Sequence, residues 1–253
     1  MAVDLNSDLG EGFGRWSLGD DDALLEIVTS ANVACGFHAG DPSTLRRVTN
    51  SAARRGVAIG AQVSYRDLAG FGRRPMEVPA DELRDEVLYQ IGALEAFCRA
   101  AGSALAYVKP HGALYHRCAA DPVQAGAVVA AVVDHGGGLA VLGPPGSRLL
   151  AAAEAAGLPA VAEGFADRAY ASDGTLVPRD QPGAVLTDAA AVVGQAVRIA
   201  TRGEVVTADG TVRPLTVRSL CLHGDTPGAV VLARAVRRAL EAAPVELRRF
   251  SRP

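Results

Sequence analysis

Short apolar runs alternate with longer stretches of helical period along this chain, and the runs stop abruptly on polar clusters. Residues 2–5, 32–35, 57–61, 105–108, 139–142, 160–163 and 217–222 read as strands, each brief and dominated by Ala, Val, Ile or Leu. Residues 20–28, 41–55, 80–101, 122–134, 147–156, 187–201 and 227–241 read as helices. Asp41 and Pro42 start one of them as N-cap and first-turn proline, and Gly56 ends it. Strand and helix in alternation predict parallel strands joined by right-handed crossovers. Seven such units predict a closed or nearly closed α/β barrel of (β/α)7 type, one domain over residues 1–253, with an open doubly wound sheet as the other arrangement. Two stretches break the rhythm. Residues 166–183 mix charge, Gly and Pro and predict a long excursion over a pocket, while Asp209-Gly210 between Val-rich arms predicts a β-hairpin within 204–215.

The polar clusters carry the functional signal. They are Asp4-Leu-Asn-Ser-Asp-Leu-Gly-Glu11, Asn32-Val-Ala-Cys-Gly-Phe-His-Ala-Gly-Asp41, Gly60-Ala-Gln-Val-Ser-Tyr65, Val108-Lys-Pro-His-Gly112 and Leu222-His-Gly-Asp225. In α/β folds the C-terminal ends of the strands are where ligands bind and chemistry happens. The clusters therefore predict one polar pocket built from the whole length of the chain.

Composition narrows the class of function. Apolar residues make up 49% of 253 residues, enough for a large core, and the net charge of −3 contains no basic stripe. Arg237, Arg238, Arg248 and Arg249 fit a solvated helix face and tail, so no nucleic-acid partner is expected. Cys35, Cys98, Cys118 and Cys221 form no Cys-x-x-Cys pair and read as reduced thiols of a cytoplasmic protein. No run approaches the roughly 20 apolar residues of a membrane span, and no membrane partner is expected.

Asp4, Asn6 and Asp8 share one face of the first strand by its two-residue period, and buried carboxylates need partners. With Glu11 they suit acid–base work or orientation of a polar substrate; a solvated edge strand is the plainer reading. Gly10-Glu-Gly-Phe-Gly14 has neither dinucleotide nor Walker spacing, and serves a phosphate or a tight turn equally well. Lys109 at a buried strand end is a costly placement that favours a shifted pKa, and His111 two residues on titrates near neutrality. His38 lies in a Gly-rich loop rather than an apolar face. His223 and Asp225 orient a substrate, or Asp225 caps the last helix. His38, His111, His223, Asp8 and Glu11 have metal-ligand chemistry but no local ligand spacing, so no metal is expected.

Taken with Ser30-Ala-Asn-Val-Ala-Cys-Gly-Phe-His-Ala-Gly-Asp-Pro42, Gly70-Phe-Gly-Arg-Arg74 and Phe165-Ala-Asp-Arg-Ala-Tyr170, these clusters resemble the LamB/YcsF family, in order and over nearly the whole chain. That resemblance implies a barrel of the glycoside hydrolase/deacetylase type. It implies ATP-dependent opening of 5-oxo-L-proline to L-glutamate by the A component of a multi-component 5-oxoprolinase, with B and C subunits as partners. It also implies ATP as co-substrate, with magnesium, bound by this chain or shared with those partners. In this scheme Asp8 or Glu11 is the base, His111 the proton donor and Lys109 the stabiliser of anionic charge. Asn6, Asn32, His38, Ser64, Arg73, His223 and Asp225 surround the substrate. The family's Ala-His-Pro-Ser-Tyr reads Ala61-Gln-Val-Ser-Tyr65 here, so Gln62 replaces an acid–base group with an amide. Two other readings stand beside this one: an ATP-independent amide hydrolase with Cys35 as nucleophile, and a non-catalytic subunit that binds a small acid.

Overall fold

The computed structural model describes residues 2–226 and 228–251. In chain order the elements are β1 (Ala2–Leu9), α1 (Asp21–Leu25), β2 (Ser30–Ala34), α2 (Pro42–Arg55), β3 (Ala58–Val63), α3 (Ala80–Ala100), β4 (Leu105–Pro110), α4 (Gly112–Ala120) and α5 (Pro122–His135). They continue with β5 (Ala140–Gly143), α6 (Arg148–Ala155), β6 (Ala160–Phe165), α7 (Ala189–Arg202), β7 (Glu204–Val206), β8 (Val212–Pro214), β9 (Ser219–Leu222), α8 (Ala229–Ala242) and β10 (Glu246–Leu247). Strands β1 to β6 and β9 pair in parallel in that order, and β9 returns to β1, closing a seven-stranded barrel. The doubly wound alternative is thereby excluded. The expected hairpin is the antiparallel pair β7–β8, Glu204 facing Pro214.

The predicted helices form where their caps and apolar stripes dictate. Asp41, Asp121 and Asp188 each accept hydrogen bonds from first-turn amides of α2, α5 and α7. On α3, Leu83, Val87, Ile91 and Leu94 recur at helical spacing and are fully buried. Three details differ from expectation. The first helix is one turn rather than residues 20–28, α4 is additional, and the helix expected from Pro227 is described from Ala229, Pro227 itself lying outside the described residues.

The barrel interior is not apolar. Asp4, Asn6 and Asp8 all point inward, so the first strand is no solvated edge. Register aligns Asp8, Asn32, Gly60 and Tyr107 in one layer and Asp4, Ser219 and Glu163 in another. Gly60 is required there: a Cβ on it would lie 2.1 Å from the Tyr107 ring, whose hydroxyl crosses to donate to Asn32 Oδ1 at 2.7 Å. Asn32 Nδ2 donates to Asn6 Oδ1 (2.7 Å) and Asp8 Oδ1 (2.8 Å), and Asn6 Nδ2 to Ser219 Oγ (2.7 Å) and Glu163 Oε2 (3.3 Å).

Asp4 sits at the bottom of this column and accepts from Thr29, Ser30 and Ser219 hydroxyls, yet burial pushes its pKa up to about 6. A carboxyl raised on folding keeps its proton in the native state after the unfolded chain has lost it. Native stability therefore falls as pH rises between about 4 and about 6, by about 2–3 kcal/mol. Asp4→Asn removes that titration. Urea unfolding of variant and parent at pH 4 and pH 7.5 is expected to show the variant gaining on the parent at the higher pH. An equal difference at both pH values would show that Asp4 does not carry the effect.

Candidate active site

A cavity of about 700 Å³ lies at the C-terminal ends of the strands, within the range of small-molecule sites. Asp8, Lys109, Phe165 and His223 reach it from the barrel, and Arg73, Arg168 and Arg179 reach it from the loops. The predicted excursion does cover it: Leu176, Pro178, Arg179 and Asp180 line the cavity. Arg168 pins that loop by donating to the carbonyls of Ala184 and Val177.

Lys109, near the end of β4, turns into the barrel and is almost wholly buried. Its Nζ lies 3.0 Å from Glu163 Oε2, 3.3 Å from Asp8 Oδ1 and 5.4 Å from the centre of the Phe165 ring. Burial works against the ammonium, but the Asp8 and Glu163 carboxylates outweigh it and hold its pKa well above the ordinary value. Burial likewise works to raise Asp8, and Lys109 with His223 reverses this, leaving Asp8 well below the usual carboxylate range. The cavity floor is thus a fixed ammonium beside a fixed carboxylate.

His223 follows β9. Its Nδ1 and its backbone N–H each lie 3.0 Å from the Asp167 carboxylate. Burial disfavours the imidazolium, yet Asp167 raises the His223 pKa above its ordinary value. Asp225 is not the helix cap: α8 has no side-chain cap, and Asp225 instead accepts from Arg73 (2.6 Å) and Arg179 (3.1 Å) at the cavity mouth. That ion pair ties the 70–74 loop to the excursion.

His111 lines the cavity but carries no spare proton. Its Nε2 donates to the Phe71 carbonyl at 3.0 Å, Gln62 Nε2 approaches Nδ1 at 3.0 Å, and burial lowers its pKa to about 3. His111, expected as the proton donor, therefore has no free N–H aimed into the cavity. Beside it, Glu11, His38 and Gln62 form a buried cluster off the cavity floor, and burial together with the Asp8 charge raises Glu11 to about 7. Asn6 and Asn32, expected at the substrate, are bonded to one another and to the column beneath it. Ser64 is buried behind Gly72, where a Cβ would lie 2.4 Å from the Ser64 hydroxyl. In the Gly-rich loop Gly10 N–H donates to Asp21, Phe13 N–H to the Trp16 carbonyl and Gly14 N–H to Asp41, so three of its amides are satisfied within the protein. Cys35 is buried, its thiol donates to the Val33 carbonyl, and burial pushes its pKa up, which removes it as a nucleophile.

The model of the LamB/YcsF family matches residues 3–253. This chain belongs to that family. It is 64% identical over 249 residues to the A component of 5-oxoprolinase from Streptomyces coelicolor, covering 98% of this chain and 100% of that one. The corresponding 5-oxoprolinase component of Mycobacterium avium is 60% identical, with 98% of each chain covered. A lactam utilization protein from Thermus thermophilus superposes with a TM-score of 0.93 at 44% identity, covering 99% and 100% of the two chains. A GH113 β-1,4-mannanase, 11% identical with a TM-score of 0.50 over 94% of this chain and 99% of its own, shares the fold alone. The polar groups at this site to which the sequence reading assigns no role are Glu163, Arg179 and Asp167, the last lying within the Phe165–Tyr170 motif. Glu163 leaves one signal, a lone carboxylate in the otherwise apolar strand Ala-Val-Ala-Glu-Gly-Phe.

Proposed function

We propose that this chain opens the lactam ring of 5-oxo-L-proline to give L-glutamate, as the A component of an ATP-dependent enzyme with B and C partner subunits. The observation that carries this reading is the cavity floor, where an ammonium, an ionised carboxylate and a carboxylate-braced imidazole face one space. The full-length likeness to proteins named as the A component of 5-oxoprolinase supports the same substrate.

An unstrained five-membered lactam resists water because attack must break amide resonance. Phosphorylation of the lactam oxygen by ATP, releasing ADP, makes C5 electrophilic. Water, oriented by the Asp8 carboxylate, then adds to the activated C5 and releases its proton to solvent, while Lys109 balances the anionic charge. His223, as imidazolium, donates its Nε2 proton to the ring nitrogen as the C5–N bond breaks. The product of that step is an acyl phosphate, which a second water hydrolyses to glutamate and phosphate. Arg73 and Arg179 stand at the mouth as counter-charges for an anionic substrate. Because the Gly-rich loop has neither Walker nor dinucleotide spacing, we assign the phosphoryl transfer to a partner chain.

Glutamate release from 5-oxoproline, measured for this chain alone and with its partners, with and without ATP, tests the reading. Turnover is expected only with ATP and partners together. Turnover without ATP would remove the activation step, and no glutamate in any arm would remove the substrate.

A further inference from the structure

Beside the cavity floor, Glu11, His38 and His111 bring three ligand-type side chains into one buried cluster, with a carboxylate oxygen and two ring nitrogens all within 4.8 Å of one another. Glu11 Oε1 lies 3.8 Å from His38 Nε2 and 3.6 Å from His111 Nδ1. Ligands of a tetrahedral ion with bonds of about 2.0–2.2 Å stand roughly 3.3–3.6 Å apart, so the Glu11–His111 separation fits one ion and the Glu11–His38 separation is slightly wide. The two imidazoles are stacked 4.0 Å apart at 13°, so one ring must rotate for both lone pairs to converge. The tautomer of His111 is set for such a role. Its Nε2–H is held by the Phe71 carbonyl at 3.0 Å, which leaves the Nδ1 lone pair facing Glu11. A carbonyl holding the second nitrogen is the usual brace of a metal-bound histidine.

The brace is built at a cost. Phe71 is the one non-glycine with positive φ (+55°) among the described residues, and its ring packs edge-on against both His38 and His111. Strained backbone of this kind persists where the surroundings over-determine it. His38 is 1% exposed and its Nδ1 finds no hydrogen-bond partner in the protein, while its Nε2 donates to the Gln62 carboxamide oxygen, so the ring proton must pass to Nδ1 before Nε2 can hold an ion. Gln62 occupies the middle of the cluster. Its amide nitrogen lies 3.2 Å from Glu11 Oε1 and 3.0 Å from His111 Nδ1, while its oxygen lies 3.2 Å from His38 Nε2. An N–H donor aimed at a carboxylate and an imidazole lone pair stands where a cation would satisfy both.

We propose that Glu11, His38 and His111 bind one divalent transition-metal ion of the zinc class, with the Gln62 carboxamide turning its oxygen toward the ion as a further, weaker donor. Two imidazoles with one carboxylate suit zinc, cobalt or iron and disfavour magnesium or calcium, which take oxygen ligands. The cluster alone carries this assignment, whichever lactam the cavity takes.

The test is direct titration of chelator-treated full-length chain, with Zn²⁺ by calorimetry and with Co²⁺ by its visible ligand-field absorption. One equivalent is expected to bind, with Mg²⁺ failing to compete. His38→Ala and Glu11→Gln are each expected to weaken Zn²⁺ binding by at least about 100-fold, the upper range for loss of a supporting group. Gln62→His adds a stronger donor without emptying the site and is expected to tighten binding. Should the parent bind no Zn²⁺, or should Glu11→Gln, His38→Ala and Gln62→His all bind as the parent does, the site is not a metal site.

Discussion

Lys109→Met is expected to abolish glutamate formation by the assembled enzyme and to lower the unfolding free energy by about 3–5 kcal/mol, the usual cost of removing one partner from a buried ion pair. Lys109 is 3% exposed and is the shared partner of Asp8 and Glu163, so its loss strands the Glu163 carboxylate and leaves Asp8 only His223 as a counter-charge. Its structural and chemical roles separate in a double variant. Lys109→Met with Glu163→Gln removes the stranded charge and is expected to recover part of the stability. It recovers none of the turnover, because no ammonium is left to balance anionic charge in the cavity. Urea unfolding and glutamate assays on the same preparations check both halves. A single variant that kept parental turnover would show that Lys109 is only a structural counter-ion.

Asp167→Asn is expected to lower turnover by about 10²- to 10⁴-fold, the range for loss of a positioned acid or base. It should also move the high-pH limb of the rate profile toward acid. His223 faces Asp167 and Asp8, which favour its charged form, and Arg179, which opposes it. The net pKa is raised above 6.5, so the donor form is present below that value and is lost as pH rises through the raised one. With Asp167 neutral, burial dominates and the imidazolium is lost at lower pH. The same sign governs stability: the His223–Asp167 pair contributes fully below about pH 6.5 and fades as pH rises through the folded value. A limb that stays in place while the rate falls would mean that Asp167 holds the loop rather than tuning the proton donor.

Much of the architecture is legible in the sequence because period and punctuation are local properties. All seven barrel strands, the Asp209-Gly210 hairpin and the capped helices follow from spacing a few residues apart. The inward face of β1 is legible too, since Asp4, Asn6 and Asp8 obey a two-residue period. What the sequence hides is who meets whom. Glu163 gains its role only when β6 is set two strands from β4 around the barrel, where its carboxylate meets Lys109. Asp167 lies two residues beyond its strand and acquires meaning only when β9 brings His223 to it. Helix α4 escapes the pattern because Pro110-His111-Gly112 reads as a stop, whereas Gly112, with φ +57°, turns the chain straight into a helix under the Gly72 carbonyl. The sequence places His111 correctly in the pocket, but its role depends on the Phe71 carbonyl and the Gln62 amide, neither of which is near it in sequence.

The polar column inside the barrel also bears on the order of events during folding. Its bonds are remote in sequence: Lys109 meets Asp8 across 101 positions, Asn6 meets Glu163 across 157 and Ser219 across 213. Contacts of such high order form slowly, because the chain must give up loop entropy before they reward it. During synthesis β1 to β4 emerge well before β6 and β9, so Lys109 has Asp8 available long before Glu163, and Asn6 waits longest for Ser219. The reactive groups can reach their working charge states only when the last strand docks. Closure of the barrel and arming of the site are therefore one event, and a chain arrested before it carries the residues of the enzyme without its chemistry.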